Sequence, residues 1–396
     1  FIVSSARGRG KGSGTRNQEP GSCSRPGSRS LVPDPLLYPS PPLPAPPVAL
    51  SLDRLLHGEA ESLIATAPAW TLSLPTARTP TLQLDYQDPV QGPVRRHIDP
   101  RTGALLPDEG SWAGTRFLFP FHFSLHLRWR DLGYWLVGAA GMGMLMLLVS
   151  GVVAHRKLIA EFFTFRPRKR LQRSLLDLHN LTGVLVLPFH FLISLSGLAI
   201  FCLVYFPGVA QSLYPEDRTQ LQAEALGSYA RPASGVATPL GSLDAMLRQA
   251  ARRWEQDDQP GTAYQLRVWH PGDRAAYVEI RRSFAREVSM NVDRLVFDGV
   301  TGALLQQHRT PPVVGVQRFL TGLHFVQFGH WRLRWLYFGR GLGGCLLIGS
   351  GLLFWSGARR ARHARRRRGA RLVEALTVAA CVGLVIATLA FFVANR

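Results

Sequence analysis

Two histidines, His179 and His190, stand in the stretch LLDLHNLTGVLVLPFHFLISLSGLAIFCLVYF, residues 175–206, which is otherwise long and apolar enough to cross a bilayer. Ionisable side chains inside hydrocarbon are costly, so they point to function by default. Eleven residues at 100° each turn through about 1100°, within about 20° of three full turns, so both imidazoles share one helix face some 16 Å apart along the axis, roughly. The chemistry open to them is that of the imidazole nitrogen, either as a ligand to a metal centre or as a partner to a backbone carbonyl.

The elements that must position them are membrane helices. Four apolar runs, at 132–154, 181–206, 336–355 and 372–393, meet the length of about 20 residues that a span requires, and several glycines lie inside them, as membrane helices tolerate. The net charge of +20 is unevenly placed. HRKLIAEFFTFRPRKRLQR joins the first two runs and GARRARHARRRRGAR joins the last two. Short, strongly basic connections stay in the cytoplasm. The segment 207–318 carries 13 Arg against 12 Asp and Glu, so it falls on the other side. The basic loops then serve topology and contact with anionic lipid rather than nucleic acid. Cys23, Cys202, Cys345 and Cys381 show no CxxC spacing, and three lie in the apolar runs, where they read as small apolar residues.

Residues 1–47 are rich in Pro, Ser, Gly and Arg and read as disordered low complexity. No apolar core of about 7–15 residues follows their basic start, so they do not read as a signal peptide. Beyond them the chain repeats itself. HIDPRTGALLP (97–107) returns as VFDGVTGALLQ (296–306), LDRLL (52–56) as LDAML (243–247), AWTLSLP (69–75) as AYQLRVW (263–269), and SLHL (124–127) as GLHF (322–325). Each unit is expected to hold a short amphipathic helix and alternating strands, followed by a span. Asp before Thr-Gly makes a tight turn in which glycine supplies positive φ. The second unit has a leading span, the one holding His179 and His190. The first is expected to have one too, so the N-terminus reads as missing or replaced, which the low-complexity start fits.

Several segments carry a family resemblance: PFHFSLHL, GVVAHRK, FFTFRPRKRLQRSLLDLHNLTGVLVLPFHFLISLSGL and GLHFVQFG. They resemble the PepSY-associated transmembrane proteins, from about Leu52 to the C-terminus. The resemblance implies an α-helical integral membrane protein with four visible transmembrane helices and two small α+β extracytoplasmic PepSY-like modules, multi-pass in the bacterial inner membrane. The expected division is a disordered 1–47, a first module at 48–118, a helix with an outer His segment at 119–156, and a basic loop at 157–174. A helix at 175–206, a second module at 207–315, a helix with an outer His segment at 316–357, an Arg-rich loop at 358–371 and a last helix at 372–396 complete it.

The resemblance also implies haem b, two per chain, with transmembrane electron transfer to a ferric siderophore or another Fe(III) chelate outside. Haem needs an imidazole nitrogen and an apolar slot. His155, ending the first span, and His179, opening the next, are then the inner ligand pair. The repeat places Trp355 where the first unit has His155, which favours a special role for that histidine. His126 and His324, repeat equivalents ahead of their spans, are the outer pair. His190 lies between these levels and takes a partner on the missing leading helix or replaces one outer ligand. His122, one turn before His126, is a weaker candidate, and His57, His97, His270, His308, His330 and His363 are expected at the surface. The sequence carries no HExxH, P-loop or dinucleotide fingerprint. Electrons are therefore expected from an external donor, a quinol or a cytoplasmic reductase. Trp269, Arg281 and Arg282 are candidates to meet an anionic chelate. The alternative is a non-enzymatic, membrane-anchored regulator of extracytoplasmic peptidases. A transporter reading finds no broken, midplane-charged helices.

Overall fold

The computed structural model describes residues 51–395 apart from 57–58, 65–66, 77, 108–110, 155–161, 163–169, 207, 209–211, 213–222, 260, 328, 330 and 363–366. His155 and the segment 1–47 lie outside the described residues, as do Cys23, His57, His330 and His363.

The chain opens with α1 (Leu52–Leu56) and α2 (Glu59–Ile64), then β1 (Ala69–Ser73), β2 (Leu82–Asp88), β3 (Gly92–Ile98) and β4 (Leu105–Leu106). Helix α3 (Thr115–Ser124) leads into α4 (Leu132–Ala154); α5 (Leu171–Ile200) and the short α6 (Cys202–Tyr205) follow. A second α+β segment comprises α7 (Leu243–Gln256), β5 (Ala263–Trp269), β6 (Tyr277–Arg282), β7 (Arg294–Asp298) and β8 (Leu304–His308). Then come α8 (Pro312–Phe325), α9 (Trp331–Arg362), α10 (Arg367–Val378), a π turn at Ala379–Gly383, and α11 (Leu384–Ala394).

The two α+β segments, treated separately in the sequence, build one structure. Their strands form a single antiparallel sheet of eight, in the order β4-β3-β2-β1-β5-β6-β7-β8. The seam is β1 against β5, and there the repeat equivalents Leu72 and Leu266 pair directly, which marks the pseudo-two-fold axis. One core runs beneath both halves, including Leu52, Trp70, Leu72 and Leu84 from the first and Met246, Leu266, Ile280 and Phe297 from the second. Strands β1 and β2 alternate as period-two burial demands, whereas β6 and β7 are buried on both faces.

The helices are tied by an exchange of caps. Asp244 of α7 accepts from Leu52 N (2.9 Å) and Ser51 Oγ (2.8 Å) at the start of α1. Asp53 of α1 accepts from Leu243 N (2.8 Å) and Ser242 Oγ (2.5 Å) at the start of α7. Each carboxylate thus satisfies orphan donors, and meets the positive end, of its neighbour's helix.

The Asp-x-x-Thr-Gly turns are structural. Gly103 and Gly302 sit at φ 76° and 72° and donate to the Asp99 and Asp298 carbonyls at 2.9 Å each. Four stretches are long and apolar enough to cross a membrane: Trp129–Ala154, Leu171–Ile200, Trp331–Arg359 and Arg371–Ala394. The second ends earlier than the sequence suggests, because Phe201 leaves helical geometry (φ −101°, ψ 17°) and α6 follows as a separate turn.

Candidate functional site

Helices α5 and α9 pack antiparallel, since contacts climb α5 as they descend α9: Gln172 Nε2 donates to Phe354 O, His179 Nδ1 to Leu347 O, and Phe189 meets Tyr337 edge-on. Close approach comes from glycine, as in membrane helix pairs generally. A Cβ on Gly351 would lie 2.8 Å from the His179 ring, and one on Gly344 would overlap His190 Nε2. The shared helix face expected of the two histidines is thus the face that α5 turns to α9.

Their hydrogen bonding separates them. The His179 Nδ1 bond to the Leu347 carbonyl, 2.9 Å, requires the proton on Nδ1 and leaves Nε2 as the lone-pair nitrogen. His190 is buried, and its Nε2 has no hydrogen-bond partner among the described residues. That nitrogen faces bare backbone at Gly344, so the ring must turn, or α9 must shift, before a ligand reaches it.

At the other end of α5, α8 delivers His324. Its Nδ1 lies 3.0 Å from Ile193 O and 3.1 Å from Ser196 Oγ, so Nε2 is again the lone-pair nitrogen. The ring beside it belongs to His122, with centroids 6.0 Å apart. His126 is arranged differently. It sits beyond the end of α3 at φ 56°, its Nε2 bonds to Phe117 O at 2.9 Å, and its ring lies 4.9 Å from that of Phe117, which in turn packs on Phe391 of α11. The cause is where the helices stop. Helix α3 takes its left-handed cap at Leu125, before His126, whereas α8 takes its own at Val326, after His324. The SLHL/GLHF match is therefore out of structural register, and the ring next to His324 is His122. Counted back from the two caps, His324 falls opposite Phe123, so His122 meets it through packing and not through the repeat.

Among the other expected contacts, Arg282 is committed to protein partners: Nε and Nη2 donate to Asp293 Oδ2 (3.0 and 2.8 Å) and Nη1 to Glu287 Oε1 (2.5 Å). Arg281, one position earlier and on the opposite sheet face, has no ion pair among the described residues. Trp269 donates to Glu279 Oε1 at 3.2 Å and lies under the Arg267 guanidinium, 4.0 Å from ring centroid to Cζ. No cluster of three or more His, Cys, Asp or Glu suited to a metal ion occurs among the described residues. The three cysteines described are exposed free thiols, Cys345 and Cys381 on spans and Cys202 on α6.

Four apolar spans, a continuous antiparallel sheet and histidines lodged between helices define a multi-pass helical membrane protein with a sheet domain outside its spans. The profile of the PepSY-associated TM region matches residues 30–358, and the chain belongs to this family. An uncharacterised protein of Pseudomonas aeruginosa is 32% identical over 277 residues, a match that covers 64% of this chain and 65% of that protein. The chain thus spans just under two thirds of the length of the curated relative it matches. The C-terminal span lies beyond the family match.

Proposed function

We propose that this chain holds haem b between its membrane helices and carries electrons across the membrane of a bacterial cell, the inner one, to an Fe(III) chelate outside. One observation carries the reading: His179 and His324 bond main-chain carbonyls through Nδ1, which leaves Nε2 as the nitrogen that would ligate iron. The unpartnered His190 Nε2 adds a third available nitrogen. The donor chemistry therefore fits haem, with His179 as the inner ligand and His324 with His122 as the outer ones. His155 remains the proposed partner of His179. His126 fits less well, since its Nε2 is already engaged by Phe117 O. The protein would hold two haems, and when bound they would supply one-electron transfer, with potentials tuned by axial ligand and burial.

The chain's own residues do the rest. The carbonyls of Leu347 and Ile193 orient imidazoles and raise their basicity. The apolar helix faces keep water from the path. Quinol or a cytoplasmic reductase would donate electrons, and a ferric siderophore or similar chelate would accept them beside the sheet domain. Reduction weakens the hold of hard oxygen donors on the metal, which suits iron uptake.

The test is an optical spectrum of the membrane-purified protein with and without dithionite. The expected result is a sharp reduced b-type band that is diminished in His179→Ala and His324→Ala. A colourless protein from cells replete in haem overturns the proposal and leaves a membrane-anchored regulator of extracytoplasmic peptidases.

A further inference from the structure

The sheet has two faces, and α1 and α7 lie on one. On the other, which is buried too over β6 and β7, cross-strand pairing aligns side chains in rows. One row runs His97, Gln83, Ser73, Gln265, Arg281, Arg294, His308 across β3-β2-β1-β5-β6-β7-β8. The next row carries Arg267 opposite Glu279. Side chains directly opposite one another across strands lie about 5 Å apart at Cβ, where like charges destabilise. Arg281 and Arg294 are such a pair.

Helix α8 adds a fourth guanidinium, Arg318, anchored where its carbonyl accepts from Met290 N at 3.1 Å. Burial, followed by the charge of Arg281, holds Arg294 below the usual guanidinium range. Arg318 is lowered by burial first, with Arg281 again repelling it. Arg267 is lowered by burial, which outweighs the opposing attraction of Glu279, while Arg281 lowers it further. Among the described residues, Glu279 is the one carboxylate ion-paired to any of the four, through Arg294 Nη1 at 3.2 Å. The Nε atoms of Arg267, Arg294 and Arg318 are buried without hydrogen-bond partners there, and Arg294 itself is only 5% exposed. Four cations against one anion, with donors left unmet, is an unfavourable arrangement for a protein interior.

We infer that Arg267, Arg281, Arg294 and Arg318 form a binding site for a multiply charged oxyanion, of carboxylate or phosphate type, on the sheet face turned away from α1 and α7, beside α8. Guanidinium forks match such oxygens in pairs. The ligand completes the missing bonds and relieves the repulsion. Its source is either a free anion in the extracytoplasmic space or an anionic lipid headgroup reached from the adjacent bilayer. The site stands apart from the haem reading, because anion binding needs no electron transfer.

The test uses the full chain in nanodiscs of neutral lipid, with citrate and inorganic phosphate as probes in calorimetry. A second arm replaces neutral lipid with an anionic one and reads the unfolding midpoint. Wild type is expected to bind a probe saturably, or to be stabilised by the anionic lipid. Arg281→Gln and Arg318→Gln are expected to weaken that response about tenfold or more. Arg95→Gln, on the same face but paired with Asp85 at 2.6 Å, is expected to leave it unchanged. Without anion, the two site variants are expected to unfold at the same or a higher temperature than wild type, because each removes a repelling charge. A response to soluble anion in neutral lipid identifies a free ligand, and a response to the lipid arm alone identifies a headgroup. Absence of both responses overturns the inference. So does equal loss in Arg95→Gln, or a lowered midpoint of both site variants in the absence of anion, which would make the cluster structural.

Discussion

The exchanged caps make a prediction whose direction is unusual: removing a carboxylate from one helix should loosen the other. Asp53→Ala takes two hydrogen bonds from the start of α7, those from Leu243 N and Ser242 Oγ. Helix α7 keeps its own cap, because Ser242 Oγ still accepts from Ala245 N at 3.1 Å. The loss is therefore that of a partial cap, about 1.4 kcal/mol, or about tenfold in the local opening equilibrium. Asp244→Ala should do the same to α1, where Leu52 N and Ser51 Oγ lose their acceptor. Amide hydrogen exchange, corrected for intrinsic rates, reads this directly. Leu243 should exchange about tenfold faster in Asp53→Ala, and Leu52 about tenfold faster in Asp244→Ala. The double variant should depart from the sum, since the two exchanged caps tie the same pair of helices together. If each substitution deprotects only the helix that carries it, the exchange of caps is refuted.

Four further outcomes are expected. His122→Ala should change the reduced spectrum of the purified protein, while His126→Ala should leave it intact, because His126 Nε2 is spent on Phe117 O. Gly351→Val drives a branched side chain into the His179 ring, where even a Cβ would sit at 2.8 Å, and should lower the thermal midpoint by an amount equivalent to about 1–3 kcal/mol of overpacking. Gly143→Val, with open space around the glycine, is its control. The Asp273 carboxyl is held well below the usual carboxylate range, chiefly by bonds from Ser234 Oγ and N, with Ala275 N and Gly235 N adding to them. A depressed carboxylate contributes stability above its unfolded value, about pH 4, and loses it as pH falls toward the folded value. Corrected for intrinsic rates, exchange at Ser234 and Gly235 should therefore accelerate below about pH 4 and stay flat from about pH 5 to 8, and Asp273→Asn should remove the acid dependence.

Much of this architecture is legible in the sequence because its signals are local. Span length, the Asp-x-x-Thr-Gly turns and the alternation of β1 and β5 depend on neighbouring residues alone. The common face of His179 and His190 follows from helix geometry, and both meet α9. The seam is another matter. Leu72 and Leu266 are each flanked by the same kind of alternation as any edge strand, and nothing within either stretch names its partner nearly two hundred residues away. The outer histidines mislead for a related reason. Sequence similarity aligns SLHL with GLHF, but a left-handed cap at Leu125 ends α3 first and carries His126 out of the helix. The arginine cluster hides because adjacent residues on a strand look alike in sequence while facing opposite ways: Arg282 is fully paired and Arg281 is not.

Tandem duplicates joined by a linker ordinarily move as two beads. Here the β1–β5 seam removes that hinge, and Arg78, in the loop after β1, reaches across to bond Val326 O at the entry to α9. The sheet thus joins the half that leads into α3 and α4 to the half that leads into α8 and α9 as one body. A ligand on the sheet therefore meets a single body from which both pairs of helices lead.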